Sequence, residues 1–169
     1  MRWRAAGAGV LAAILTVVGA GAPARADWPR LTWPLRPAPA VLRGFDAPDP
    51  NWQRGHRGVD LVGVAGQPVH AAGPARVVFA GLLAGRPVIS LAHPGGLRTS
   101  YEPVRAAVRA GQRVDGASVI GTLAPGHPGC SASACLHWGA MWGPASAADY
   151  VDPRGLLVGT RMRLKPLAG

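Results

Sequence analysis

Short apolar runs separated by glycine fill the chain between residues 59 and 123. VDLVGV, ARVVFAGLL, PVISLAH and ASVIGTL are typical of these runs, and each has the length of a strand and contains β-branched residues. Turns recur about every ten residues, as in sandwiches and barrels. No window keeps the period of about 3.6 residues that marks an amphipathic helix. The pattern therefore predicts an all-β domain.

One short motif occurs twice within this region. AGQPV at 65–69 returns as AGQRV at 110–114, and each copy is a glycine turn that leads into a strand. Two copies are too few for a repeat array. They suit two similar hairpin corners within one β-sandwich.

The first 26 residues have the pattern of an export signal. Arg2 and Arg4 precede an apolar run over 5–20, and Ala-Arg-Ala at 24–26 provides small residues for cleavage. The run is shorter than the ~20 apolar residues of a membrane span. We therefore predict a cleaved signal peptide over 1–26, a secreted product and no membrane span after cleavage.

Proline and tryptophan set the next segment apart. Proline is so dense over 27–54 that it excludes a helix, and we predict an extended lead-in that wraps around the domain. The predicted anchors of this wrap are three tryptophans, Trp28, Trp33 and Trp52. The main domain is predicted over 55–157, followed by a basic tail over 158–169.

The net charge of the whole chain is +10, and three arginines of the predicted signal supply part of it. The remaining charge of about +7 belongs to an exported chain without a nucleic-acid motif. An anionic wall polymer or membrane surface is therefore the favoured partner, and nucleic acid is not expected. Arginines on a solvated surface would give the same charge without any partner.

Cys130 and Cys135 are the two cysteines of the chain. Outside the cytoplasm, such a pair close in sequence indicates a disulfide. A pair of zinc thiolates is the alternative, although the Cys-x-x-Cys spacing of many zinc sites is missing.

His56 and Asp60 lie four residues apart in GHRGVDL. On a straight strand they would be ~13 Å apart, but a turn permitted by the glycines can bring both side chains to one point. Histidine and aspartate bind zinc at about 2.0–2.2 Å. A surface histidine and a turn-capping aspartate are the alternative interpretation of this motif taken alone.

His137 lies in CLHWGAMW, which has the pattern of a strand. Cys135 and His137 share one face of it, and Leu136 and Trp138 share the other. Two histidines and an aspartate leave a fourth tetrahedral position for water, as a catalytic zinc requires. Zinc lowers the pKa of such a water towards ~7 and polarises a carbonyl, which is the chemistry of amide hydrolysis. A histidine packed beside tryptophan is the alternative for His137.

These motifs follow one another, with LAHPGGLRTSYEPV and AGQRVDGASVIGTL between them, much as in lysostaphin-type (LytM-like) zinc endopeptidases of peptidoglycan. The resemblance extends over about residues 33–157. It implies a compact antiparallel β fold with a groove for an extended peptide above the zinc. It also implies zinc ligands at His56, Asp60 and His137, which match the family's H-x-x-x-D and the second histidine of its H-x-H.

Two histidines that handle protons in this family are replaced here. The first histidine of H-x-H is Cys135, and the histidine of the family's Y-x-H falls on Glu102 or Pro103. A carboxylate can serve as the general base, so Glu102 is the candidate catalytic residue, with a surface turn residue as the alternative. His127, in PGHPGC, is a second candidate for the missing imidazole, with a loop histidine as the alternative.

Tyr101 is the candidate for substrate binding, because a tyrosine beside the centre could line the groove or hold the oxyanion. A core tyrosine is the alternative interpretation.

The sequence thus predicts a secreted, wall-associated zinc metalloendopeptidase that hydrolyses peptide bonds of bacterial peptidoglycan. A second class stays open, because the two histidines are missing. In that class the chain is a catalytically degenerate, zinc-containing module that binds wall peptide or activates another wall hydrolase.

Overall fold

A computed structural model describes residues 30–50 and 53–158 of the chain. The predicted signal peptide, Trp28, Trp52 and the tail beyond residue 158 lie outside the described residues, and the predicted domain boundaries stay predictions. In the part of the chain that is described, no helix has the length and apolar character needed to cross a membrane.

Strands and turns make up almost all of the described structure. The strands are β1 (Val41–Arg43), β2 (Val59–Gly63), β3 (Pro68–His70), β4 (Ala75–Leu83), β5 (Arg86–Ala92), β6 (Leu97–Glu102), β7 (Val104–Ala106), β8 (Arg113–Val114), β9 (Val119–Leu123), β10 (Ala134–Trp142) and β11 (Asp149–Val151). Three single-turn 3-10 helices cover Pro94–Gly96, Ala145–Ala147 and Pro153–Leu156. Residues 30–50 and 53–158 contain no α-helix, so the predicted all-β class is confirmed.

Two antiparallel sheets enclose one core. The larger has eight strands in the order β1-β2-β10-β6-β5-β4-β8, with β11 paired to β10, and the smaller has the order β3-β9-β7. Residues from both sheets, such as Leu61 and Ile89 of the larger and Val69 and Ile120 of the smaller, belong to a single hydrophobic cluster. This arrangement is the sandwich that the sequence predicts.

The alternation of residues along β6 explains how the sheet separates a core face from an outer face. Leu97, Thr99 and Tyr101 are buried, whereas the residues between them are only half-buried. Since successive side chains on a strand point to opposite faces, this strand presents every second residue to the core. Trp138 of β10 lies directly opposite Tyr101, and both are fully buried.

From residue 30 onward, the segment before β1 runs extended across the domain. Leu31 and Leu35 are fully buried. The backbone N–H of Leu31 donates to the carbonyl of Leu156 at 2.8 Å, and that of Thr32 donates to the carbonyl of Ala72 at 2.8 Å. Trp33 packs its ring 6.0 Å from that of Trp138. These contacts make the segment part of the core.

Cys130 and Cys135 form a disulfide, which confirms the sequence prediction and removes both thiols as zinc ligands. The bond joins the loop between β9 and β10 to the strand that carries His137.

Candidate metal centre

Two neighbouring strands and the loop before them bring three predicted ligands together. Asp60 lies on β2 and His137 on β10, and the two residues are directly opposite each other in the antiparallel pair. Residues opposite each other on one face have Cβ atoms about 4.5–5.5 Å apart. His56 precedes β2 and is held there by a bridge to Asp46. His56 thus reaches Asp60 because it lies before the strand, and cross-strand pairing brings His137 to the same point.

The three potential ligand atoms form a nearly equilateral triangle. Asp60 Oδ1 is 2.9 Å from His56 Nε2 and 2.9 Å from His137 Nδ1, and the two nitrogens are 3.0 Å apart. Within the described structure, these three residues form a group of possible metal-binding side chains whose ligand atoms lie close enough to hold one ion. A tetrahedral zinc about 2.0–2.1 Å from each ligand requires a cluster of this size.

The hydrogen bonding of His56 shows that the donor set suits a cation. Its Nδ1 is 2.6 Å from the carbonyl oxygen of Gly44, which can only accept, so in the neutral imidazole Nδ1 carries the proton. Nε2 then directs a lone pair at the lone pairs of Asp60 Oδ1, and such a pair repels unless a cation or a proton lies between them. A backbone carbonyl on the second nitrogen is also the usual support of a metal-bound histidine. Nitrogen and carboxylate ligands in this arrangement fit zinc.

Asp60 is buried, yet its carboxyl group is strongly acidic. Burial alone raises the pKa of Asp60, but hydrogen bonds from His127 and His137, together with the charges of His127 and His56, hold it well below its usual range. The carboxylate is therefore ionised at neutral pH, as metal binding requires.

Glycine provides the space that His137 occupies. A Cβ atom on Gly58 would lie 2.6 Å from the carbonyl oxygen of Trp138 and 2.7 Å from His137 Nε2. The sequence pattern predicts only a turn at this glycine, whereas the structure shows that it is needed for the close approach of its backbone to β10.

Glu102 faces the same side of the sheet as His137. The two residues are directly opposite each other in the pairing of β6 with β10. The Glu102 carboxylate accepts a hydrogen bond from Arg86 Nε at 2.8 Å and its side chain is 17% exposed. The structure thus places Glu102 beside the centre and orients it, and its catalytic role stays a prediction.

Tyr101 lies in the core, so the structure does not support its predicted contact with substrate. Its side chain is fully buried, and its hydroxyl oxygen accepts the backbone N–H of Ala72 at 3.1 Å and lies 3.0 Å from Thr99 Oγ1. Burial raises its pKa. The reason is the alternation along β6, which turns Tyr101 inward and Glu102 outward.

His127 also reaches the centre, from the loop between β9 and β10. Its Nε2 is 3.1 Å from Asp60 Oδ1, and its side chain is 11% exposed. Its ring stacks on that of His137 with a centroid separation of 5.8 Å. From the sequence, His127 is a second candidate for the missing imidazole and is not among the predicted site residues. The available signal was its position three residues before a bridged cysteine.

Residues 54–153 match the family model described as Peptidase family M23. The chain belongs to this family. It is 71% identical over 159 residues to the Mycobacterium tuberculosis protein Rv2891 and to the Mycobacterium bovis protein Mb2915. The match covers 94% of this chain and 64% of each relative, so the chain spans less than two thirds of their length.

Several solved structures share the fold of this M23 domain. Csd3 of Helicobacter pylori superimposes with a TM-score of 0.63 at 24% identity, covering 81% of this chain and 37% of Csd3. The antimicrobial peptidase lysostaphin from Staphylococcus simulans gives 0.58 at 24% identity, covering 78% and 57%. A zinc-containing peptidase from Vibrio cholerae gives 0.56 at 21% identity, covering 66% and 36%. These likenesses confirm the predicted fold class. The family match confirms the predicted resemblance and supports a peptidase.

A shallow cleft lies on the outer face of the M23 domain. Gly139 and Met141, two and four residues after His137 on β10, line it together with Ser100 and Arg98 of β6 and with Tyr150. Because residues two apart share one face of a strand, the cleft lies on the side of the sheet that carries His137 and Glu102.

Proposed function

We propose that this chain is a zinc-dependent endopeptidase that hydrolyses peptide bonds of bacterial peptidoglycan. The observation that carries the proposal is the triangle of His56 Nε2, Asp60 Oδ1 and His137 Nδ1, with sides of 2.9–3.0 Å, within an M23 domain. Zinc held by these atoms would polarise the scissile carbonyl and lower the pKa of a water for attack on it.

The residues of the triangle and those around it would orient the ligands, supply negative charge and transfer protons. The Gly44 carbonyl orients His56, and the ionised Asp60 supplies the negative charge of the ligand set. Glu102 would take the proton of the attacking water at its carboxylate and deliver it to the departing amine. Arg86, which is bound to Glu102 at 2.8 Å, would keep that carboxylate fixed in direction.

The cleft along β10 supports an extended peptide as substrate. Such a segment could lie beside Gly139 and Met141 and pass the centre at His137. The resemblance to lysostaphin-type endopeptidases supports peptidoglycan as its source. The excess of basic charge favours association with anionic wall polymers.

A location outside the cytoplasm is supported by two independent features. The sequence begins with the pattern of an export signal, and the chain carries a disulfide between Cys130 and Cys135. Disulfides of this kind persist in oxidising compartments.

A second function is favoured by the disulfide at Cys135, which occupies the place of a proton-handling histidine. In that case the chain would bind wall peptide, or bind and activate another wall hydrolase, without cleaving the peptide itself.

A digest of purified wall sacculi tests these functions against each other. The chain from Asp27, loaded with one zinc per molecule, is incubated with sacculi with and without a chelator, and released fragments are identified by mass spectrometry. We expect peptide fragments that disappear with chelator and with His137→Ala. Zinc-loaded protein that pellets with sacculi but releases nothing would contradict hydrolysis and support the binding role.

A further inference from the structure

The loop between β9 and β10, residues 124–133, is held at several points. Its first backbone N–H, from Ala124, donates to the carbonyl of Pro103 at 2.9 Å, and near its end the Ser133 hydroxyl donates to the carbonyl of Gly63 at 3.2 Å. Between these points, the N–H of Cys130 donates to the carbonyl of His127 at 3.2 Å. The loop therefore has a defined path.

The segment that begins at His127 is a tight turn. Pro128 and Gly129 occupy its two central positions, and Gly129 has a φ of 77°. Proline followed by a residue of positive φ is the pattern of a type II turn. His127 and Cys130 are thus the first and last residues of one turn, and the position of either one constrains the other.

The disulfide ties this turn to β10. Cys130 is bonded to Cys135, which lies on β10 two residues before His137 and opposite Val62 of β2. The turn is thus covalently attached beside the pair of strands that carries Asp60 and His137. Cys135 replaces a histidine of the family pattern and at the same time provides the tether for a different histidine.

The contact of His127 with Asp60 determines its tautomer. Asp60 Oδ1 only accepts, so a neutral His127 carries its proton on Nε2, 3.1 Å away. Its Nδ1, which is buried without a hydrogen-bond partner among the described residues, is then an acceptor. A carboxylate oxygen has two lone pairs. Oδ1 can therefore accept from His127 with one of them and direct the other towards the site between His56 Nε2 and His137 Nδ1.

We propose that His127 is a positioning residue of the metal centre, which fixes the Asp60 carboxylate from the disulfide-tethered turn. This inference rests on the zinc site of the proposed function. His127 stands outside the group of three potential ligands and acts on the metal through Asp60. Hydrogen-bond partners of metal ligands typically change metal affinity about 10–100-fold when they are removed.

Zinc affinity of His127 variants tests the role of the hydrogen bond. We expect His127→Leu to weaken zinc binding about 10–100-fold, measured by competition with a chelating dye. His127→Gln should retain most of the affinity, because its amide N–H can donate to Oδ1. His70→Leu is the matched control and should leave zinc affinity unchanged. His70 lies on β3 of the smaller sheet, with its Nδ1 2.9 Å from the carbonyl oxygen of Ala117.

Thermal unfolding of each metal-free variant accompanies these titrations, so that a loss of fold is recognised. Should His127→Leu fail to fold, His127→Asn replaces it, because the shorter amide cannot reach Oδ1. Equal affinity in all variants would overturn the proposal. An equal loss in the Gln and Leu variants, with the fold retained, would also overturn it, because the donor would then be irrelevant.

A double-mutant cycle tests the tether. If the disulfide acts through His127, Cys130→Ser with Cys135→Ser should weaken zinc binding, and adding His127→Leu to that background should change it little. Fully additive losses would contradict the tether.

All of these titrations are made without substrate, so they are independent of peptide cleavage. If the variants change zinc affinity as expected but the wild-type protein does not digest sacculi, only the endopeptidase is refuted. If sacculi are digested normally and no variant changes zinc affinity, only the role of His127 is refuted.

Discussion

At the scale of single residues, the partners of the two ring nitrogens distinguish the histidines of this protein. His56 directs Nδ1 to a carbonyl and leaves Nε2 facing Asp60. His93, in contrast, places Nδ1 3.0 Å from the carbonyl oxygen of Pro74 and Nε2 2.8 Å from the Thr99 hydroxyl. Burial lowers the pKa of His93. Both of its nitrogens are satisfied within the core, so its role is structural.

Glu102 is the residue whose substitution tests proton transfer. Glu102→Gln should lower the rate of peptide cleavage by about 100-fold or more, because general acid–base catalysis contributes typically ~10²–10⁴-fold. Zinc affinity should not change, since Glu102 is bound to Arg86 and is not among the three potential ligands. The measurements are fragment release from sacculi and zinc titration.

Asp115→Asn is the control for that experiment. It removes one acidic charge at an exposed position in the turn after β8 and should leave cleavage unchanged. Wild-type rates in the Glu102→Gln variant would remove Glu102 from the mechanism.

At the scale of elements, the register of β10 determines the composition of the centre. His137 lies opposite Asp60 on one side and opposite Glu102 on the other. A slip of one residue would turn every side chain of the strand to the other face. Trp138 would then leave the core and His137 would enter it. The packing of Trp138 against Tyr101 and Trp33 therefore helps to keep His137 on the outer face.

Gly58→Ala tests the close approach of the loop before β2 to β10. The added Cβ would overlap the Trp138 carbonyl and the His137 ring, so we expect a loss of about 1–3 kcal/mol in the free energy of unfolding together with weaker zinc binding. Urea denaturation of the metal-free protein and zinc titration measure the two effects.

Gly155→Ala is the matched control, because a Cβ at that position meets nothing within 4 Å. It should change the free energy of unfolding by less than about 0.5 kcal/mol. Equal stabilities of the two variants would show that β10 moves aside without penalty.

At the scale of the whole molecule, the segment before β1 joins the two ends of the described chain. Leu31 forms a parallel bridge with Leu157, and its carbonyl accepts the N–H of Val158 at 2.8 Å. Leu31 and Leu35 belong to the same hydrophobic cluster as the residues of both sheets. Residues that precede the family match at 54–153 are thus part of the fold.

Leu31→Ala tests this contribution. Removing a fully buried leucine side chain should lower the free energy of unfolding by about 2–5 kcal/mol, measured by chemical denaturation of the metal-free protein. Leu82→Ala, at a position that is 72% exposed, should stay within about 0.5 kcal/mol of wild type. A wild-type unfolding curve for Leu31→Ala would mean that the lead-in contributes little to stability.

By itself, the sequence determined the all-β class, because the runs of β-branched residues and their glycine boundaries are local properties of a pleated strand. It also predicted the disulfide, and by resemblance it indicated His56, Asp60 and His137 as one ligand set. Only the tertiary structure decided that Tyr101 is a core residue and that His127 contacts Asp60. These two outcomes depend on strand register and on a loop closed by a disulfide. Both join residues far apart in the chain, and the local pattern of side chains carries no information about such distances.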